Sequence, residues 1–202
     1  MVQAVCYNNH MIYNKDVKIV AFVGMAGAGK STAVDYVTGK GYPKVYGGGI
    51  LFEAMKKAGI EITPENENEF RTKVHADEGQ DLIISEFIGQ INKLISAGQH
   101  RIVTDSNYSW AQYKTMKHEF PGELTVIAVV APKHIRHHRL LSRAERPLTE
   151  TEASDRDWRE IEDLQSGGTI AIAEHYIMND GDLEKFHQQI DQVLNDIEFY
   201  RV

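Results

Sequence analysis

Short apolar runs alternate along this chain with longer segments in which apolar residues recur at helical spacing. Three continuous apolar runs predict buried parallel strands, at Lys18–Val23, Arg101–Asp105 and Leu124–Val130. Two shorter strands are predicted at Lys44–Tyr46 and His175–Met178. Strands that alternate with helices indicate a parallel sheet with helices on both of its faces.

Amphipathic helices are predicted between these strands. They cover residues 31–38, 50–58, 77–97, 133–143 and 183–197. Thr63 followed by Pro64 is a further helix start, with the threonine as the cap. Three consecutive glycines at 47–49 are predicted to end the second strand before the helix at 50–58 begins. Residues 1–16 are predicted to be an N-terminal extension, with a possible strand at 4–7, and residues 17–202 to be a single domain.

Composition narrows the classes of function. The formal net charge of −7 argues against general attraction to nucleic acid or to an anionic membrane. No apolar stretch reaches membrane-spanning length, and residues 1–16 lack the apolar core of a signal peptide. The only cysteine, Cys6, has no partner for an internal disulfide, so we expect a cytoplasmic protein. From the net charge and the apolar lengths we expect no nucleic-acid or membrane partner.

The connection after the first strand carries the strongest functional motif. Residues 24–31 read GMAGAGKS and fit G-x-x-x-x-G-K-[ST], a loop whose N–H groups surround the phosphates of a nucleotide. Glycine permits the backbone conformations and the close approach to the ligand that this needs, and the following helix adds a positive dipole end. The lysine is expected at the β and γ phosphates, and the serine hydroxyl on Mg²⁺. The predicted nucleotide site comprises Gly24, Met25, Ala26, Gly27, Ala28, Gly29, Lys30, Ser31 and Thr32.

A carboxylate follows the third strand. Asp105 lies at the predicted carboxyl end of that strand, which is the edge where ligands bind in open α/β sheets. It is expected to hold a Mg²⁺-bound water or to accept a proton from an attacking group. The alternative is that Asp105 only caps the polar turn Asp-Ser-Asn-Tyr.

A basic helix is predicted near residues 133–143. Arg136, Arg139 and Arg143 are spaced i, i+3 and i+7, so one helical face presents all three. Because guanidinium groups bind phosphate bidentately, we expect at least two cations of this region to contact phosphate. In the alternative, the cations pair with nearby acids, namely Glu145, Glu150, Glu152, Asp155 and Asp157. The polar segment 146–155 is predicted to be a mobile flap that excludes water, or else an ordinary exposed loop.

With these residues in place, the chain resembles the small P-loop kinases, the nucleoside monophosphate kinase and dephospho-CoA kinase group. It is most similar to the mainly archaeal adenylate-kinase-like and dephospho-CoA-kinase-like proteins. The resemblance rests on GMAGAGKS at 24–31, IVTDS at 102–106, APKHIRHHRLLSR at 131–143, DRDWRE at 155–160 and AEHYIMNDGDLEKF at 173–186. It implies an α/β, three-layer P-loop NTPase fold with a five-stranded parallel sheet in the order 2-3-1-4-5. It also implies a small mobile lid over about residues 144–160.

The resemblance also implies roles for individual residues. Lys30 and Ser31 would serve ATP and Mg²⁺, and Asp105 would be the metal-side or base carboxylate. The residues acting on the transferred group would be Lys30, Asp105, Arg139 and Arg143. The lid would include Arg139, Arg143 and Arg146, and the nucleotide would also contact Arg143, Arg146 and Asn179, since residues 179–182 would border the adenine.

One part of the family pattern is missing. Such kinases grip the acceptor phosphate with an Asp and an Arg three residues later, where this chain has Gly49 and Phe52. The leading hypothesis is an ATP-dependent transfer of the γ-phosphoryl group to a small acceptor such as a nucleoside monophosphate or dephospho-CoA. The alternative, favoured by Gly49 and Phe52, is a nucleotide-binding regulatory protein with slow NTPase activity and no acceptor. Polynucleotide 5′-kinase activity is opposed by the acidic net charge.

Overall fold

A computed structural model of the chain describes residues 16–63, 66, 69–70, 79–105, 109–144 and 147–200. Its five strands form one parallel sheet in the order β2-β3-β1-β4-β5, which confirms the predicted fold and strand order. The strands are β1 (Lys18–Val23), β2 (Lys44–Tyr46), β3 (Arg101–Asp105), β4 (Leu124–Val130) and β5 (His175–Met178).

Helices connect the strands and cover the sheet. In chain order they are α1 (Lys30–Gly39), α2 (Gly47–Lys57), α3 (Gly79–Ser96), α4 (Trp110–Glu119), α5 (Lys133–Ser142), α6 (Glu150–Glu162), α7 (Ser166–Ala171) and α8 (Leu183–Asp196). Within the described parts of the chain, none of the helices combines the length and the apolar character that crossing a bilayer requires.

The central strand β1 supplies side chains to two cores because successive residues of a strand point to opposite faces of the sheet. Ile19 and Ala21 face a core that includes Phe87 of α3 and Met116 of α4. On the other face, alternate β1 residues lie in a core formed with α1 and α8, with Val20, Phe22, Val34, Phe186 and Ile190. The helices on both faces therefore hold β1 rigidly, and with it the loop that follows.

Two predicted segments differ in the structure. Strand β2 ends at Tyr46, directly before the glycines as predicted, but helix α2 already begins at Gly47 and not at residue 50. Glycine allows the first turn of α2 to lie against Tyr46, since a Cβ added to Gly48 would lie 2.5 Å from the Tyr46 side chain. The polar stretch from residue 150 forms helix α6 and is not the exposed loop of the alternative prediction, and its start is capped by reciprocal bonds between Thr149 and Glu152. The possible strand at 4–7 and residue Pro64 lie outside the described residues.

Candidate nucleotide site

The loop between β1 and α1 has a backbone that only glycine adopts easily. Gly27 and Gly29 have φ angles of 77° and 110°, in the left-handed region. A Cβ on Gly27 would lie 2.5 Å from the carbonyl oxygen of Arg136, and one on Gly29 would lie 2.3 Å from Nδ2 of Asn179. The loop is thus held closely by α5 on one side and by the end of β5 on the other.

Lys30 reaches across the loop from the first turn of α1. Its Nζ donates to the carbonyl oxygens of Gly24 at 2.6 Å and Met25 at 3.3 Å. Burial lowers the pKa of Lys30; Glu160 and Asp105 oppose that shift, whereas Arg156 and Arg136 add to it. The ammonium group is therefore fixed at the start of the loop, where acids and arginines of distant segments converge.

Arg139 and Asn179 support the other end of the loop. The Arg139 guanidinium donates to the backbone oxygen of Asn179 at 3.0 Å and to its Oδ1 at 3.2 Å. Asn179 in turn donates from Nδ2 to the carbonyl oxygen of Ala28 at 2.8 Å, and the residue is buried. The Arg139 Nη1 also points to the carbonyl oxygens of Gly27 and Ala28, at 3.4 and 3.5 Å. Both residues therefore bond to carbonyl oxygens of the loop or to each other and fix the backbone at this end of the loop.

The first arginine of the basic helix contacts protein groups. Arg136 is buried and forms a bidentate ion pair with Asp157 of α6, with distances of 2.6 and 2.9 Å. His137 lies 3.0 Å from the same carboxylate. Burial raises the pKa of Asp157, but the hydrogen bonds from Arg136 and His137 outweigh it, and the net pKa is lowered. For Arg136, the alternative of pairing with a nearby acid is therefore what the structure shows.

The backbone of Ala26 is bonded on both its N–H and its C=O by side chains. Arg136 donates to the Ala26 carbonyl oxygen at 3.0 Å, and the Ala26 N–H donates to Oε2 of Glu160 at 2.8 Å. The second oxygen of Glu160 accepts from Nε of Arg156 at 3.3 Å, one helical turn earlier in α6. Sequence reasoning left Arg156 and Glu160 without a role. Their i, i+4 spacing and the Thr149–Glu152 capping box are the local signals of the helix that brings them there.

Asp105 lies at the carboxyl end of β3, opposite Tyr46 of β2 in the sheet register. Burial raises its pKa, as does Asp35, while Lys44 and Lys30 act in the opposite direction. Lys30 and Asp105 are thus close enough for each to shift the pKa of the other. Ser31 and Thr32 are exposed at the start of α1, beside Lys30.

Two of the predicted arginines follow α5 in the sequence. Arg143 follows the last residue of α5 and is half-buried, whereas Arg146 lies outside the described residues. Trp110 stacks on Tyr113 with ring centroids 5.4 Å apart, and Gly168 of α7 packs against Trp110. In the described part of the chain, no group of three or more His, Cys, Asp or Glu side chains is arranged to hold a metal by itself.

The residues present fit a polyphosphate. A fixed lysine, the amino-terminal end of α1 and glycines whose Cβ positions are already filled by neighbouring atoms form the cradle that an anion of this shape requires. The sheet order, the loop and the flanking helices together define the fold of a P-loop kinase.

Solved structures have the same architecture. A Thermus thermophilus protein called TT1252 is 17% identical with a TM-score of 0.59, covering 89% of this chain and 97% of its own. Shikimate kinase from Acinetobacter baumannii is 15% identical with a TM-score of 0.55, covering 90% and 93%. Dephospho-CoA kinase from Campylobacter jejuni is 14% identical with a TM-score of 0.55, covering 89% and 96%. At these identities the likeness shows the fold, and it confirms the resemblance to small P-loop kinases.

Sequence comparison gives the family. The AAA_17 family, described as an AAA domain, matches residues 23–165. A UPF0200 protein from Thermococcus gammatolerans is 31% identical over 182 residues, which cover 89% of this chain and 95% of the relative. The chain therefore belongs to the UPF0200 family and contains an AAA_17 domain. Its relatives in this family are archaeal, as the resemblance in sequence indicated.

Proposed function

We propose that this protein is an ATP-dependent phosphotransferase that moves the γ-phosphoryl group of ATP to a small acceptor, such as a nucleoside monophosphate or dephospho-CoA. The observation that carries the proposal is the arrangement around Lys30. Its ammonium group is fixed to the carbonyl oxygens of Gly24 and Met25, and an acid and an arginine of α6 approach the same point. The family and the kinase fold support the same reaction class.

On the donor side, the chain mainly positions and neutralises charge, which is what phosphoryl transfer demands of a protein. The amides of Gly27, Gly29, Lys30 and Ser31 would bind the phosphates, and the Lys30 side chain would lie between the β and γ groups. Arg139 and Asn179 fix the backbone of the loop through bonds to its carbonyl oxygens. Mg²⁺ held through Ser31 and Asp105 would neutralise the negative charge on the phosphate oxygens.

On the acceptor side, Asp105 is placed at the strand edge for the attacking group. Because burial raises its pKa, its carboxylate is a stronger base than an exposed aspartate and could accept a hydroxyl proton. Arg143 and Arg146 are proposed to close on the phosphates as part of the lid, about residues 144–160. Gly49 and Phe52, both half-buried in α2, stand where the resemblance expects an Asp and an Arg that grip an acceptor phosphate.

The second candidate is a nucleotide-binding regulatory protein with slow NTPase activity and no acceptor. The observation that favours it is the absence of an Asp and an Arg at positions 49 and 52, where the resemblance expects the acceptor grip. The two candidates share the nucleotide site and differ in whether ADP release depends on a second substrate.

The test is ADP release from ATP and Mg²⁺ in the presence and absence of each of a panel of acceptors. Acceptor-dependent ADP formation that is lost in Lys30→Ala supports the phosphotransferase. Lys93→Ala, in which an exposed lysine of α3 is removed, is the matched control and should retain the wild-type rate. Slow ADP release that no acceptor accelerates, but that still needs Lys30, would favour the regulatory protein. Release unchanged in Lys30→Ala would contradict both candidates.

A further inference from the structure

A carboxylate lies on the phosphate-binding loop itself. Glu160 is only 5% exposed, and its Oε2 accepts the Ala26 N–H at 2.8 Å although the two residues are 134 positions apart in sequence. A loop of this type offers its N–H groups to phosphate oxygens. In the structure one of these donors is therefore taken by an anion that the protein supplies.

The position along the loop identifies which phosphate this carboxylate replaces. The ammonium group of Lys30 is bonded to the carbonyl oxygens of Gly24 and Met25, and Ala26 is the next residue. Lysine in this motif reaches the β and γ phosphates, so Ala26 lies at the end of the loop where the terminal phosphate is expected. Burial lowers the pKa of Lys30 most, and both α6 residues are close enough to shift it further: Glu160 opposes the effect of burial and Arg156 adds to it.

Arg156 is the cation that the same phosphate would need. Its Nε donates to Oε1 of Glu160 at 3.3 Å, and its side chain is 39% exposed, in contrast to the buried carboxylate. A γ-phosphate oxygen accepting from Ala26 would carry more charge than a carboxylate and would also attract Arg156. Carboxylate and phosphate cannot both occupy this point, because like charges in contact repel and one N–H serves one strong acceptor.

We propose that Glu160 is a stand-in for the terminal phosphate of the donor nucleotide. It holds the Ala26 N–H and Arg156 until a γ-phosphate replaces it, and Arg156 then binds that phosphate. A diphosphate, which does not reach Ala26, leaves Glu160 in place, so the pair Glu160 and Arg156 makes the site respond to triphosphates differently from diphosphates. This inference rests on the proposed donor site, but not on the identity of the acceptor.

The direct test is calorimetric binding of a non-hydrolysable ATP analogue and of ADP, each with Mg²⁺, to wild type and Glu160→Gln. The glutamine keeps the shape of the side chain but removes the charge that a γ-phosphate must displace. Because giving up a charge-assisted hydrogen bond is worth about a factor of ten in affinity, the analogue should bind about tenfold more tightly to the variant. ADP should bind wild type and variant equally well.

The matched control is Glu162→Gln, since Glu162 is exposed on the same helix and carries the same charge. It should bind both nucleotides as wild type does. If Glu160→Gln changes the affinity for the analogue and ADP by the same factor, or weakens binding of the analogue, Glu160 is only a support of the loop and the inference is wrong. If wild type binds neither nucleotide, the proposed function itself fails, which is a different result.

The fluorescence of Trp158 tests the proposal in a protein that keeps Glu160. Trp158 lies between Arg156 and Glu160 in α6 and is 65% exposed, so its fluorescence reports on movement of this helix. In a Trp110→Phe background, the ATP analogue should change the Trp158 emission and ADP should not. Equal responses to the two nucleotides, or no response to a bound analogue, would overturn the proposal.

Discussion

Removing the carboxylate of Asp157 is expected to cost this protein a large part of its stability. The carboxylate joins α6 to α5 through the bidentate pair with Arg136, which also bonds the carbonyl oxygen of Ala26 in the loop. In Asp157→Ala the guanidinium of Arg136 stays buried and loses its counter-charge. The cost arises from that unpaired cation, because a buried pair by itself contributes little net stability.

The burial of the two side chains sets the size of the expected loss of stability. The side chains of Arg136 and Asp157 are only 8% and 14% exposed, so water cannot replace the lost partner. Breaking a buried pair from one side costs about 3–5 kcal/mol. For a domain of this size each kcal/mol lowers the melting temperature by about 2–4 °C, so the drop should be roughly 6–20 °C.

The assay is thermal and urea unfolding of the nucleotide-free protein, followed by circular dichroism. Asp155→Ala removes an exposed acid from the same helix and should change stability little. The double variant Arg136→Met with Asp157→Ala should be more stable than Asp157→Ala alone, because no charge is left unpaired. A loss below about 1 kcal/mol in Asp157→Ala, which is the value of an exposed pair, would refute the reasoning.

Three further results are expected. Burial raises the pKa of Asp105, so its favourable contribution to the free energy of unfolding is present at low pH and is lost as pH rises. Asp105→Asn should therefore raise the melting temperature at pH 7 while it slows turnover. A lower melting temperature would contradict this. Gly27→Ala should abolish ATP binding in calorimetry, because its Cβ would lie 2.5 Å from a backbone oxygen, whereas Gly39→Ala, which meets nothing within 4 Å, should bind normally. Finally, because the pKa of Asp157 is lowered, its pair with Arg136 stabilises the fold at pH values above the ordinary carboxyl pKa, and acid should remove that contribution. As the pH falls below the ordinary carboxyl pKa, the free energy of unfolding should therefore fall less in Asp157→Ala than in wild type.

Local sequence was sufficient for the parts of the molecule whose geometry comes from contiguous residues. The strands and the sheet order follow from apolar runs that alternate with helices and from the family resemblance. The loop at 24–31 was predictable because its glycines, lysine and following helix are adjacent in the chain. The start of α6 was predictable in principle from the Thr149–Glu152 capping box, but the polar composition of the segment favoured a flap.

Only the tertiary structure decided how charges are paired around the loop. Three arginines and five nearby acids are compatible with many pairings, and spacing along one helix does not choose among them. The packing of α5 and α6 against the loop joins Arg136 to Asp157, and it brings Glu160 to Ala26 across 134 residues. Such contacts depend on where whole helices lie, because a hydrogen bond requires its two atoms to be within about 3 Å of each other. The chain by itself therefore determined the position and backbone of the glycine loop, and the folded molecule determined which of its own side chains surround that loop.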